Sequence, residues 1–299
     1  MEFNQITIPC NRRIDEWFTL IGLGDIHEGN AGCDLDALQR VVDKIRDNDT
    51  YYWMGMGDYI EAINFSDKRF DPRQVSRKYR NGSIDRICQE QIETVCEIFY
   101  PIRKKCVGLL RGNHEETVRA NYHYDCLYDM WRHLNDIKVG IKGKSETAKV
   151  NVDSVKNPTV RLLYDAAVVR LSFVNSSEKS RHPWKISFDV YGTHSNIAGR
   201  KPGGKLNRIV DIMAYWSTVD VVMTGHGHDQ PVASSTVLSF NRYGKFISRD
   251  RRGFMCGSFL KTYTLGSTSY AEKAGYSPTE IGTPSVQFNP AQEKIRVIV

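Results

Sequence analysis

Apolar and polar positions follow two different rhythms along this chain of 299 residues. In the first half, short apolar runs alternate with segments of helical spacing. Leu20 to Leu23, Tyr51 to Met54 and Val107 to Leu110 read as strands. Between the first two, Asp34 to Asp47 carries Leu35, Leu38, Val41, Val42 and Ile45, which predicts a helix with Asp34 as its cap. Strand, helix and strand in that order make a β-α-β unit with parallel neighbours. Residues 83–100 place Ile84, Ile87, Ile92, Val95 and Phe99 on one helical face, with Ser83 as the cap. Further helices are predicted over Tyr122 to Leu134 and Leu206 to Trp216. The stretch from Asn64 to Asn81 is polar, basic and weakly periodic, and reads as a lid or loop insertion at 64–81.

After residue 150 the rhythm changes. Val160 to Val174, Lys185 to Val190, Val232 to Phe240, Phe254 to Leu265 and Ile295 to Val299 are rich in β-branched and alternating residues, and read as antiparallel strands. Val219 to Thr224 is one more apolar run. The whole of 1–299 is expected to fold as one domain with two facing sheets.

Composition narrows the class without fixing it. An apolar fraction of 40% and a charged fraction of 25% are ordinary for a globular protein. No apolar run is long enough to span a bilayer, and no basic stretch leads into an apolar core at the N-terminus. The seven cysteines are scattered, with no Cys-x-x-Cys pair, which suits a reducing compartment and a cytoplasmic location. The net charge of +6 permits an anionic substrate. Much of the excess sits at Lys68, Arg69, Arg73, Arg77, Lys78 and Arg80, and again at Arg200, Lys201, Lys205 and Arg208.

The chemistry lies where apolar runs end. Asp25-Ile26-His27, Gly57-Asp58, Gly112-Asn113-His114-Glu115, Tyr191-Gly192-Thr193-His194 and Gly225-His226-Gly227-His228 each follow a strand-like run. Each supplies Asp, Asn or His, the ligands of hard or borderline divalent metals. In an extended chain Asp25 and His27 share a face, as do His226 and His228. A carboxylate such as Asp58 can bridge two cations about 3.5–4 Å apart. A lone His or Asp is commonly a solvated loop residue. Five such pieces, in order and each after a strand, point to a two-metal hydrolytic centre at strand ends.

This series resembles the calcineurin-like metallophosphoesterase superfamily from Asp25 to His228, about two thirds of the chain. Leu109 to Glu115 is close to the phosphoprotein-phosphatase form, whereas the paired His226 and His228 resemble the phosphodiesterase and nuclease branches. The chain is also similar to stand-alone bacterial and phage enzymes of that group. The resemblance implies an α/β protein, a four-layer α/β/β/α sandwich with two mixed β-sheets and a dinuclear site at the strand ends. It assigns Asp25, His27, Asp58 and His228 to one metal, and Asp58, Asn113, His194 and His226 to the other. His182, in a turn-like context before its strand, competes with His194, which follows one. The implied ions are divalent, Mn2+ foremost, with Fe, Zn or Ni as alternatives. A hydroxide between them attacks phosphorus, and His114 serves as general acid or transition-state donor.

The departures set the substrate. Glu61 stands where the phosphatases carry an Asp that orients the catalytic histidine, so it is expected to pair with His114. Ala62 stands where they carry a phosphate-binding Arg, a loss that weakens dianionic monoesters most. Arg111 either compensates at the substrate or serves packing or an ion pair. The expectation is hydrolysis of phosphodiesters, with nucleic acid or a nucleotide among the candidate substrates. A phosphoprotein or phosphomonoester phosphatase is the alternative. A non-catalytic scaffold of the same fold is a third reading, opposed by the complete ligand set. Gly199 to Lys205 nearly matches a Walker A loop, but Leu206 replaces its Ser/Thr, so the segment is expected to flank the site with Lys201 and Lys205. Tyr263, Tyr270, Tyr276 and Phe288 read as core of the second sheet or as a base-stacking groove.

Overall fold

Period-two alternation in the strands sorts side chains onto two faces, and three apolar layers result. The computed structural model describes residues 1–62, 70–80, 86–137, 157–175, 184–194, 201–240, 243–265 and 269–299. One six-stranded sheet contains β2 (Phe18–Leu23), β3 (Tyr51–Gly55), β4 (Cys106–Leu110), β5 (Leu162–Tyr164), β11 (Ser285–Asn289) and β12 (Lys294–Ile298), in the order β12-β11-β2-β3-β4-β5. The other contains β1 (Glu2–Cys10), β6 (Ala166–Asn175), β7 (Lys185–Thr193), β8 (Val221–Thr224), β9 (Val232–Phe240) and β10 (Phe246–Met255), in the order β1-β6-β7-β8-β10-β9.

Leu20, Met54 and Val107 of the first sheet meet Phe173, Val190, Val221 and Met223 of the second in the layer between them. Ile21, Leu23, Trp53 and Leu109 face the other way, onto α1 (Leu35–Asp47), α2 (Ile87–Phe99) and α4 (Cys126–Leu134). Val222 and Met255 of the second sheet pack under Ile209, Ile212 and Met213 of α5 (Pro202–Tyr215). The result is the four-layer α/β/β/α arrangement, with both sheets mixed.

Several local expectations change. The second-half strands do not all pair antiparallel: β1 with β6, β7 with β8, and β8 with β10 are parallel. The run from Val160 to Val174 feeds both sheets, because the chain turns at Tyr164 (φ 54°) between β5 and β6. The strand predicted from Phe254 to Leu265 is shifted, since β10 ends at Met255, whereas Ile295 to Val299 matches β12. β1 and β11 carry no separate signal in the pattern. The helix expected from Tyr122 to Leu134 is α4 alone; a further helix, α3 (Asn113–Tyr122), precedes it and ends at left-handed His123 (φ 55°). Asp34 caps α1 through Ala37 N–H at 2.9 Å. α2 begins at Ile87, and Ser83 lies outside the described residues. α5 starts a turn earlier than predicted, with Pro202 in its first turn, where a missing N–H costs nothing.

Within the expected insertion, residues 70–80 are described, while Lys68 and Arg69 are not. The described part is tied to the loop after His27: Ala31 N–H donates to Gln74 O at 2.7 Å and Ser76 N–H to Gly29 O at 2.8 Å. Phe288 is fully buried in the inter-sheet layer, beside Phe188, so it is core rather than groove. Tyr263 is exposed and donates to Tyr276 O at 2.6 Å. The Tyr270 side chain lies outside the described residues. Among the described residues no helix is long and apolar enough to cross a membrane.

Candidate metal centre

The five polar motifs follow β2, β3, β4, β7 and β8, at their carboxyl ends. β2, β3 and β4 are parallel neighbours in one sheet, and β7 and β8 in the other. The carboxyl ends of strands from both sheets therefore meet at one end of the sandwich.

The backbone that delivers the side chains is not extended there. Asp25, His27, Asp58, His226 and His228 all have φ between 48° and 74°. Left-handed backbone costs a non-glycine residue about 1–2 kcal/mol, and its concentration here marks a site held by its surroundings. Asp25 and His27 thus converge through left-handed turns rather than through strand alternation. Close packing between loops adds to this. A Cβ on Gly112 would lie 2.0 Å from the Asp58 nitrogen and 2.1 Å from Asp58 Oδ1.

Three triads of ligand atoms gather within 4.8 Å: Asp25, His27 and His228; Asp58, His194 and His226; and His27, Asp58 and His114. Asp58 Oδ2 lies 3.9 Å from His27 Nε2 on one side and 3.2 Å from His194 Nε2 on the other. Asn113 Oδ1 is 3.1 Å from the same His194 nitrogen. All seven expected ligands are therefore brought to one centre, including His194. Its competitor His182 lies outside the described residues.

Hydrogen bonds fix which nitrogen faces inward. His27 Nδ1 donates to Glu61 Oε2 at 2.9 Å, which leaves its Nε2 lone pair facing His228 Nε2 at 3.2 Å. His194 Nδ1 donates to the Met56 carbonyl at 2.6 Å, which leaves Nε2 facing two oxygens. Lone pairs turned toward one another repel unless a proton or cation lies among them. Asp25 Oδ1 is buried with no hydrogen-bond partner, 3.2 Å from His228 Nε2, while Asp25 Oδ2 accepts from His226 N–H at 2.9 Å. An orphaned buried carboxylate oxygen beside inward-facing imidazoles fits divalent cations.

The electrostatics agree. Burial opposes ionisation of Asp58, yet His194 and His114 hold its carboxyl well below the usual range. Burial likewise opposes Asp25, and His228 holds it low. Burial lowers His27 and His226, favouring the neutral form that binds metals. Burial also pulls His194 down, but Asp58 overrides it and raises the imidazole to about 10. Without a metal that site retains a proton, and a cation competes for the same lone pair.

Glu61 differs from expectation. Its carboxylate does not orient His114; it holds His27, and it accepts from Asn30 Nδ2 at 3.1 Å. Burial would raise this carboxyl, but the His27 bond and the His114 charge bring it to about 2. His114 is oriented instead by the Glu61 backbone carbonyl, 2.5 Å from its Nδ1. Burial lowers His114, while Asp58 and Glu61 raise it further, so the net shift is upward. Arg111 has a guanidinium engaged by Asp125 at 2.8 Å and Glu116 at 3.5 Å, which is the ion-pair role. Lys205 reaches the Gly227 carbonyl at 2.7 Å and Asp229 at 2.5 Å, so it braces the paired-histidine loop. Gly199 and Arg200 lie outside the described residues.

The residue pattern did not single out two further supports. Glu115 is buried and accepts from the backbone N–H groups of Asp58, Tyr59 and Gly112 at 3.0, 2.8 and 2.9 Å, locking the second motif to the third. Its place three residues after the helix-capping Gly112 is the one signal that could have found it. Ser258 Oγ donates to the Asp25 carbonyl at 2.8 Å from a segment with no motif of its own.

Comparison with known proteins is consistent with this geometry. A family model described as calcineurin-like phosphoesterase matches residues 18–230. No curated protein matches the chain. A solved structure described as a conserved uncharacterized protein and predicted phosphoesterase, from Streptococcus pneumoniae TIGR4, is 9% identical; the match covers 95% of this chain and 98% of that one, with a TM-score of 0.32. At that score the likeness carries no weight for fold or function.

Proposed function

The chain belongs to the calcineurin-like phosphoesterase family, and on that premise we propose that it is a phosphodiesterase. The observation that carries the reading is the pair of triads sharing one end of the sandwich, with Asp58 between them. Asp25, His27, Asp58 and His228 would hold one divalent ion, and Asp58, Asn113, His194 and His226 the other. When bound, such ions lower the pKa of water and offset phosphoryl charge, with manganese the first choice.

The protein's own groups account for the rest. Glu61 and Met56 accept the Nδ1 protons of His27 and His194, which turns the Nε2 of each ring inward, where a cation would compete with any proton there. His114 holds its Nδ1 proton against the Glu61 carbonyl, so the imidazolium form offers Nε2–H to the departing oxygen. Such a donor contributes about a hundred- to ten-thousand-fold in rate.

Two features favour diesters. Ala62 offers no fork-shaped cation, and Arg111 is committed to Asp125 and Glu116. A substrate carrying one negative charge depends least on the missing cations. Nucleic acid or a nucleotide is the source of that diester this reading favours, supported by the basic residues Arg77, Lys78 and Arg80 of the segment tied to the loop after His27. A reducing, cytoplasmic setting accords with cysteines that are all free thiols. The test is hydrolysis of bis-nitrophenyl against mono-nitrophenyl phosphate by manganese-loaded protein. Faster turnover of the diester is expected, and a clear monoester preference overturns the reading in favour of a phosphatase.

A further inference from the structure

A sheet edge presents unpaired backbone groups, and natural proteins guard such edges with charge, proline or brevity. Among the described residues each sheet has two edge strands, β1 and β9 in one, β5 and β12 in the other. Three are guarded. β1 carries Glu2 and Pro9, β12 carries Lys294 and Arg296, and β5 has only 3 residues.

β9 is different. Its 9 residues, Val-Ala-Ser-Ser-Thr-Val-Leu-Ser-Phe, include no charge and no proline. At roughly 3.4 Å per residue it offers about 30 Å of edge. β9 pairs with β10 along its whole length, from Val232 opposite Phe254 to Phe240 opposite Phe246. Among the described residues no strand pairs with its other side. The far end of the hairpin is apolar and open. Leu238 is 63% exposed, Phe240 71% and Phe246 55%, and the two phenylalanine rings meet edge to face at 5.7 Å. The apolar end thus adjoins the unguarded edge.

We propose that the β9 edge is where a second copy of this chain pairs, joining two six-stranded sheets across a two-fold axis. Antiparallel pairing of one strand with its own copy is self-complementary by symmetry. It sets Ser, Thr, Val, Leu and Phe against the same set and brings no like charges into opposition. That matters for a chain of net charge +6, whose copies repel wherever basic surfaces meet. β9 itself sets no charge opposite an incoming strand, although Arg249 and Asp250 lie on β10 behind it, which selects an uncharged strand such as its own copy over a charged peptide. The exposed Leu238 and Phe240 side chains then gain cover at the contact.

The experiment is sedimentation equilibrium or light scattering of the metal-loaded full chain over a concentration series. Wild type is expected to approach twice the 34.2 kDa chain mass. The double variant Leu238→Lys with Phe240→Lys, and separately Thr236→Lys, place charge on the edge as the other edges do. Thr236 already bonds Asp250 across the ladder at 3.0 Å, so a lysine there retains a partner in the folded chain. Both variants are expected to be monomers with wild-type circular dichroism. A monomeric wild type overturns the proposal, as does a dimer that persists in a folded Thr236→Lys protein. Both readouts are independent of phosphoesterase activity.

Discussion

His27 donates its Nδ1 proton to Glu61, and that bond decides which nitrogen faces the carboxylates. Replacing the charge should therefore act on metal binding rather than on the proton donor. Glu61→Gln is expected to weaken metal affinity by about ten- to a hundred-fold, as outer partners of ligating histidines do. Elemental analysis across a manganese titration would show this. Turnover at saturating metal should fall far less than affinity, because His114 keeps the Glu61 backbone carbonyl and the larger pull of the Asp58 charge, and loses only the pull of the Glu61 charge. His114→Ala should behave oppositely, with retained metal and turnover reduced by about a hundred- to ten-thousand-fold. If the two variants lose metal and rate in the same proportion, the division of roles is wrong. His27 was legible from motif spacing, and Glu61 and the role of His114 from the family resemblance. The switch of Glu61 from His114 to His27 was not, because it depends on which of two imidazoles its side chain reaches.

Among the elements, the segment 70–80 has the least regular sequence and a definite attachment. Tyr79 Oη donates to both oxygens of the buried Glu28, at 2.8 and 2.9 Å, directly after the first motif. Burial raises the Glu28 carboxyl from 4.5 to about 7, against the pull of the Tyr79 bond. A carboxyl raised on folding favours its protonated form in the native state. The stability it contributes is full below the unfolded value of 4.5 and is lost as pH rises through about 7. Chelated, metal-free Glu28→Gln should therefore gain on wild type across that window, by a few kcal/mol on the order set by the shift. Thermal midpoints measured at a series of pH values check this, and a constant difference between the two proteins refutes it. At this scale the sequence located α1 and the motif-bearing strands closely, because each has an unmixed period. It missed α3, whose helix is opened by the motif Gly112 to Glu115 itself and has little apolar face.

For the whole molecule, the centre joins two sheets that meet elsewhere mainly through apolar packing, with one buried hydrogen bond from Asn4 to the Val107 carbonyl. Asp25, His27, Asp58 and Asn113 follow strands of the first sheet, Asn113 as the first residue of α3, and His194, His226 and His228 follow strands of the second. Cations bound among them stabilise only the folded arrangement. At a free metal concentration about 100 times the dissociation constant, the gain is about 2.7 kcal/mol. Manganese should raise the unfolding temperature by several degrees and a chelator should reverse the rise, as scanning calorimetry would record. A transition indifferent to metal would mean that the triads hold none.

The sequence by itself determined the ligand types and the strands they follow. Periodicity pointed to two facing sheets, since local pattern and residue chemistry are carried by neighbours in the chain, and the family resemblance implied the layered α/β/β/α class. Tertiary structure decided what depends on contacts between distant segments. It split the run after Val160 between two sheets and set the left-handed backbone at Asp25, His27, Asp58, His226 and His228. It also gave Glu61 to His27, Arg111 to Asp125, and Glu115 to the loop at Asp58. The physical reason is common to all of these. A side chain's composition fixes what it can bond, and only the packed fold fixes which partner lies within reach.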